Sequence, residues 1–555
     1  MNCPSAVLLP PGLLALAILS ALSSALLPHS SMAGSTDGER PNFVLILADD
    51  MGWSDIGCYG GEIPTPHIDA LAAGGIRFTQ FYNTARCSQT RAALLTGLFQ
   101  HQAGLGILAE PPNQPGPDDA APGYLRHLND KCVTIPEVLR LAGYHTYMSG
   151  KWHVGYHEQK NWPNQRGFDR FYGLISGASS FFRPRGSRGL TLDNQALPEP
   201  TDPDYYTTDA FTDFAIKFIE SHSAEDPFFL YLTYTAPHWP LHAREQDIQK
   251  FVGKYMEGWD QLRADRWQRQ LDMGLVDPSW GLSPRDDGAR AWEALTDEQK
   301  TNLDYRMAVY AAMVHRMDWN IGRVVKTLKA RGQFENTVII FLSDNGGCAE
   351  PYNDLGGGNM SAINDPYAGG MGSKNNPDGG SSYGTGWANA SNTPFRRYKT
   401  RLFEGGISTP LVISWPRGIT HNPGTILHNR GYLTDIMPTF IELAETTYPD
   451  RYGDRSEIFP IYSTSLAPIF RQEEREGPEW MFWEHYNERV ARQEDWKLIG
   501  RIGEDTWELY DLRTDRNEMI NLAADHPERV AAMAAAWETW AWEHQVLPRN
   551  LGTRK

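Results

Sequence analysis

Cysteine is scarce in this chain of 555 residues: there are five, none paired as Cys-x-x-Cys, so no cysteine zinc site is indicated. Cys3 lies in the extreme N-terminus, leaving Cys58, Cys87, Cys132 and Cys348 widely spread. Positive charge is also short. The formal net charge is −17, which argues against a nucleic-acid partner, since that role needs a basic patch. A few local cations can still bind an anionic substrate on a diffusely acidic surface. Beyond the N-terminus no run has the length and apolarity of a membrane span. The exception is Ala6 to Leu27, almost wholly apolar and followed by Ser31-Met32-Ala33, although no Lys or Arg precedes it. Pro10, Pro11 and the Ser-rich end weaken it as a spanning helix. The expectation is a secretory signal peptide over residues 1–33, with export to the periplasm or the extracellular space and no stable membrane span.

What remains is ordinary for a globular protein. Hydrophobic residues at 41% and charged residues at 21% are enough for a substantial core. The run Pro41 to Ala48 reads as a buried strand of a parallel sheet, with Asp49 and Asp50 at its carboxyl end. A second strand, Ile76 to Asn83, delivers Cys87. Tyr144 to Met148 leads to Lys151 and His153, and Phe228 to Thr235 leads to His238. A long helix from about Asp304 to Ala330 carries an apolar stripe, and Thr337 to Leu342 is a buried strand ending in Ser343-Asp344-Asn345-Gly346. Strands alternating with helices predict an α/β fold with a mostly parallel central sheet flanked by helices.

Three further segments complete the expected organisation. Gln246 to Lys300 reads as helices and loops over the sheet edge. The stretches Glu110 to Gly123 and Cys348 to Arg397 read as irregular loops, the second a candidate pocket wall. Beyond about Asp450, Trp480 to Trp483, Val490 to Leu498 and Trp507 to Leu512 read as three short antiparallel strands closed by a helix, Pro527 to Trp542. The domains expected are a catalytic one over 41–445 and a smaller C-terminal α+β subdomain over 450–555.

In open α/β sheets, ligands bind outside the carboxyl ends of the strands. Asp49, Asp50, Cys87, Lys151, His153, His238, Asp344 and Asn345 all lie at or soon after such ends, so the topology itself predicts that they converge. The stretch Cys87-Ser88-Gln89-Thr90-Arg91, running on to Thr96-Gly97, reads as a short helix with Cys87 at its N-terminus and Arg91 one turn on. That end of a helix favours an anion, and a guanidinium on the same face suits a sulfate or phosphate ester.

This stretch resembles the signature of the type I sulfatases, Cys-x-Pro-x-Arg followed by Thr-Gly, with Gln89 standing where the family usually has Pro. The family belongs to the alkaline phosphatase superfamily. The resemblance implies that Cys87 is oxidised to formylglycine by a formylglycine-generating enzyme, and that the hydrated aldehyde is the nucleophile. It implies one divalent cation, calcium, on Asp49, Asp50, Asp344 and Asn345, with the modified Cys87 bound near it. It further implies that Arg91, Lys151 and Lys399 bind sulfate, that His238 protonates the departing alcohol and that His153 takes the proton when sulfate is expelled. The expected activity is hydrolysis of sulfate esters, small or carbohydrate. A phosphatase or phosphonate monoester hydrolase of the same superfamily is the alternative, and so is a silent homologue that binds sulfated glycans.

Overall fold

The computed structural model describes residues 40–109, 121–223, 225–350 and 382–548. The signal-peptide expectation, residues 110–120 of the first irregular loop and residues 351–381 of the second lie outside these. Ten strands form the main sheet: β1 (Asn42–Ala48), β2 (Ile76–Tyr82), β3 (His145–Lys151), β4 (Arg170–Leu174), β5 (Leu190–Leu192), β6 (Gln195–Ala196), β7 (Phe228–Thr233), β8 (Thr337–Ser343), β9 (Ser408–Ser414) and β10 (Thr425–Tyr432). Their order is β10-β2-β9-β8-β1-β7-β3-β4-β5-β6. The five central strands from β8 to β4 run parallel, while β9 runs antiparallel to both its neighbours.

β1 explains why both faces must be covered. Its side chains alternate with period two, Phe43, Leu45 and Leu47 entering one core and Val44, Ile46 and Ala48 the other. The helix Cys87–Thr96 packs on the first face through Ala92, Ala93, Leu94 and Leu95. The long helix covers the second through Met307, Met313, Met317, Ile321 and Val324. It starts at Asp297, seven residues before the expected Asp304, under a capping box of Thr296 and Gln299. The apolar stripe marks only the part that is buried, and the first two turns are largely exposed. No helix among the described residues is long and apolar enough to cross a membrane.

A second, antiparallel sheet comprises β11 (Trp480–His485), β12 (Glu488–Gln493), β13 (Trp496–Arg501) and β14 (Trp507–Asp511). The segment expected as one strand over Val490 to Leu498 is two, turning at Glu494-Asp495, where Glu494 takes a φ of 52°. Neither residue is the Gly or Asn that ordinarily announces such a turn. The helix Pro527–Glu543 packs on one face through Met533, Trp537 and Trp540. The other face meets the main body through Met481, Trp483, Val490 and Tyr510, against Tyr82, Leu402 and Phe403. A buried ion cluster reinforces that seam. Lys497 Nζ lies 3.0 Å from Glu404 and 2.6 Å from Glu518, and Arg516 Nε donates to Glu404 at 3.0 Å. These partners hold Glu404 down at about 2 against the upward push of burial, while burial raises Glu518 to about 7. Glu404 ends the loop that begins near Lys399, so this seam also steadies a candidate site residue.

Candidate active site

The carboxyl ends of β1, β3, β7 and β8 lie side by side, and each delivers polar side chains to one place. Past β1, Asp49 and Asp50 are both buried, and Asp50 is held at a φ of 66°, uncommon for a non-glycine residue. Past β8, the N–H of Asp344 donates to the Ala48 carbonyl at 3.1 Å, tying the two strand ends together. Lys151 is the last residue of β3, and its Nζ donates to Asp49 Oδ2 at 2.7 Å. Lys399 enters from the loop before β9 and donates to Asp50 Oδ1 at 2.6 Å, where Asn345 Nδ2 also donates at 2.7 Å. Arg91 donates to Asp344 Oδ2 from Nε at 3.1 Å and from Nη2 at 2.8 Å, and to the Lys151 carbonyl at 2.8 Å. Arg91 is completely buried, so in this geometry it fixes Asp344 instead of presenting a free fork to an anion.

The formal charges balance. Three carboxylates (Asp49, Asp50, Asp344) face three cations (Lys151, Lys399, Arg91). Burial pushes the Asp49 carboxyl well up despite Lys151, whereas Lys399 and Asn345 outweigh burial at Asp50 and hold it down. Burial, aided by Lys151 and Lys399 respectively, pushes His153 and His238 well below the ordinary range. It also raises the Cys87 thiol.

The oxygens left over are what fit a metal. Asp49 Oδ1, Asp50 Oδ2 and Asn345 Oδ1 are buried and hydrogen-bonded to nothing. His238 Nδ1 donates to the Trp239 carbonyl, so the neutral ring turns a bare Nε2 lone pair toward Asp50 Oδ2 at 3.4 Å. Asp49, Asp50 and His238 offer ligand atoms all within 4.8 Å of one another. Convergent acceptors without a donor among them are costly when buried, and a cation relieves that cost. Two carboxylates and an amide oxygen suit a hard ion. Added to a set of zero formal charge, a dication leaves two positive charges in surplus for an oxyanion.

Cys87 opens the helix Cys87–Thr96, next to this cluster, and is 3% exposed. The helix entry is set by Thr90, whose hydroxyl accepts from the Thr84 N–H at 3.1 Å, and its end by Gly97 at a φ of 69°. A Cβ at Gly97 would come within 2.7 Å of Met437. His153 also takes a positive φ, 58°, and its Nδ1 is buried without a partner. Gly177 makes room for it, since a Cβ there would lie 2.5 Å from the imidazole. All the site residues expected from the sequence therefore gather here. Sequence reasoning missed Arg86, whose Nη1 pairs with Glu350, and Glu350 itself, 3.9 Å from Lys399. Glu350 sits in a Gly- and Asn-rich segment without periodicity, which gave no signal for it.

Comparison with known proteins bears on the family. The sulfatase family model matches residues 41–446, most of the chain. The chain belongs to the sulfatase family. A second model, that of the N-sulphoglucosamine sulphohydrolase C-terminal region, matches residues 395–538. This sulfatase is 35% identical over 540 residues to an uncharacterized sulfatase of Schizosaccharomyces pombe, covering 92% of this chain and 95% of that one. It is 34% identical over 446 residues to an arylsulfatase of Klebsiella aerogenes, covering 79% and 93%. Among solved structures it resembles that of Ps i-CgsB in complex with k-i-k-neocarrahexaose, with a TM-score of 0.65 and 24% identity over 93% of this chain and 96% of that one. The sulfatase is thus a sulfuric ester hydrolase with the α/β fold of its family.

Proposed function

We propose that this sulfatase is exported, matures by oxidation of Cys87 to formylglycine, holds one calcium ion at Asp49, Asp50, Asp344 and Asn345, and releases sulfate from sulfated carbohydrates. The observation that carries the reading is the set of three orphaned buried oxygens beside Cys87 at the mouth of the parallel strands. Calcium accepts irregular oxygen shells more readily than magnesium, which demands near-octahedral geometry. When bound, it supplies Lewis acidity toward sulfate oxygens. The hydrate of formylglycine would supply a nucleophilic hydroxyl and a second hydroxyl through which sulfate could be expelled.

The chain's own residues do the rest. Arg91 holds Asp344 in place. Lys151 and Lys399 each bridge a carboxylate and the space in front of Cys87, where they hold the sulfuryl oxygens and offset charge gathering there. His238, neutral with its Nε2 lone pair free, would take the proton of the attacking hydroxyl and pass it to the departing alcohol oxygen. His153, neutral at its depressed pKa, accepts the proton released when sulfate leaves. The carbohydrate class draws support from the sugar sulphohydrolase model on the C-terminal part and from the carbohydrate in the complex of the solved relative. Export rests on the apolar N-terminal run. Two measurements test the proposal together: the mass of the peptide containing residue 87, and sulfate against phosphate release from paired esters of one alcohol. An exclusively thiol Cys87 in protein that still releases sulfate overturns the maturation; preference for the phosphate ester overturns the substrate class.

Gln89 makes the maturation step separately testable. Its side chain is buried, and neither amide atom is hydrogen-bonded. It lies in the first helical turn, where N–H groups have no intrahelical partner and proline is tolerated. Gln89→Pro therefore removes two orphaned polar atoms without breaking the helix, and it restores the residue usual in the family motif. The variant should be at least as stable as the wild type and carry a larger formylglycine fraction after co-expression with the modifying enzyme. Thermal unfolding and peptide mass spectrometry read the two effects, and a lower formylglycine fraction would count against the motif reading.

A further inference from the structure

Three side chains from distant parts of the chain meet beside the nucleophile and take no part in the chemistry above. Arg86 immediately precedes Cys87 as the residue that caps its helix, and its side chain is 11% exposed. It pairs through Nη1 with Glu350, while its Nε is buried without a partner. Glu350, 31% exposed, turns its other oxygen toward Lys399 at 3.9 Å. The guanidinium of Arg86 lies 6.0 Å from the ring centre of Tyr486, which is 38% exposed. Burial thus falls from Cys87 outward, as it does from a reaction centre toward the mouth of a cleft.

Tyr486 occupies a conformation that needs a reason. Tyr486 and Asn487 form the two-residue turn between β11 and β12, with φ values of 46° and 70°. Such turns favour Asn, Asp and Gly, and a bulky ring at positive φ is strained. Strain of this kind clusters at active sites and ligand clamps, and this hairpin turn lies against the residue that precedes Cys87. Here it sets a partly exposed aromatic ring beside a donor and an acceptor.

We propose that Arg86, Glu350 and Tyr486 form the subsite for the leaving alcohol, and that this subsite takes a hydroxyl-bearing pyranose. The proposal rests on the sulfatase reading and adds to it the residues that choose the alcohol. Adjacent sugar hydroxyls both donate and accept, so one can donate to the carboxylate of Glu350 while its neighbour accepts from the partly exposed Arg86 side chain. The apolar C–H face of a pyranose fits over the ring of Tyr486. Glu350 is held ionised, at about 2, chiefly by Arg86 and Lys399 acting against burial, so it only accepts. An unsubstituted aryl ring would cover Tyr486 and leave the ion pair facing nothing. A second sulfate at this point would meet the charge of Glu350.

The experiment uses the matured, calcium-loaded enzyme and two kinds of ester, pyranose monosulfates and phenyl sulfate. A site that hydrogen-bonds a hydroxyl discriminates strongly against an analogue without it, so Glu350→Gln and Tyr486→Ala should each lower the pyranose-to-phenyl ratio of kcat/KM by roughly tenfold or more. Tyr486→Phe keeps the apolar face and should retain most of the ratio. Equal losses on both esters in Glu350→Gln and Tyr486→Ala would overturn the proposal, as would a wild-type enzyme that prefers phenyl sulfate to every pyranose monosulfate. Sulfate release from neither ester would remove the sulfatase reading itself, and the subsite with it.

Discussion

Cys87→Ser should abolish sustained turnover while leaving the protein able to react once. The substitution is nearly isosteric, and the site is built from residues other than Cys87, so the fold and the ion cluster should persist. Serine places one hydroxyl at the helix N-terminus, beside Lys151 and Lys399. It lacks the second oxygen through which formylglycine would expel sulfate. A serine sulfate could then be cleared only by water, and the two histidines placed to act as a base among the described residues, His153 and His238, are buried at 5% and 6% exposure. Steady-state sulfate release should fall by roughly a thousandfold or more, the scale on which losing a positioned proton-transfer pathway is felt. Alcohol release should stop at one equivalent or less. Intact-protein mass after incubation with substrate should rise by one sulfuryl group on the variant and not on the matured wild type. Sustained turnover by Cys87→Ser would mean that water reaches and cleaves the ester, and release by elimination would have to be given up for this protein.

The elements that place Cys87 were legible in the sequence for a physical reason. Parallel strands buried on both faces must be apolar throughout, so β1, β7 and β8 show as unbroken runs, and the polar residues that end them stand out. That is why the pattern of strand ends already groups Asp49, Asp50, His238, Asp344 and Asn345. Edge elements carry no such mark. β10 is half exposed over most of its length, with burial only at Gly431 and Tyr432, and its pattern is that of a loop. The turn at Glu494-Asp495 was hard to see because the residue that takes the positive φ is Glu494, which is not a turn-former, and Asp495 alone is a weak signal. Long-range polar partners were equally silent. Arg91 looks like an anion fork from spacing alone, and only the fold shows its guanidinium committed to Asp344, 253 residues away. The cluster of Glu404, Lys497, Arg516 and Glu518 has no local spacing to read, because its members meet only when the second sheet docks.

Stripping the metal should separate fold from function more cleanly than any substitution. Asp49, Asp50 and Asp344 each already have a cation, Lys151, Lys399 and Arg91, so chelation leaves a balanced set of ion pairs and the sheet beneath it intact. What chelation removes is the surplus positive charge in front of Cys87. Loss of that Lewis acid is worth several kcal/mol of transition-state stabilisation, or roughly a thousandfold in kcat/KM. Melting temperature should fall as well, since an ion that binds only the folded state stabilises it by mass action. Adding calcium should restore both quantities; magnesium, with its stricter octahedral geometry, should restore less. Asp344→Asn gives an independent check, because the amide oxygen can still accept from Arg91 while a formal charge is lost from the ion's shell. Ion content and activity should then drop together, with secondary structure preserved. Full activity in a metal-free preparation would remove the cation from the mechanism. Restoration by magnesium alone would keep the site and change the ion.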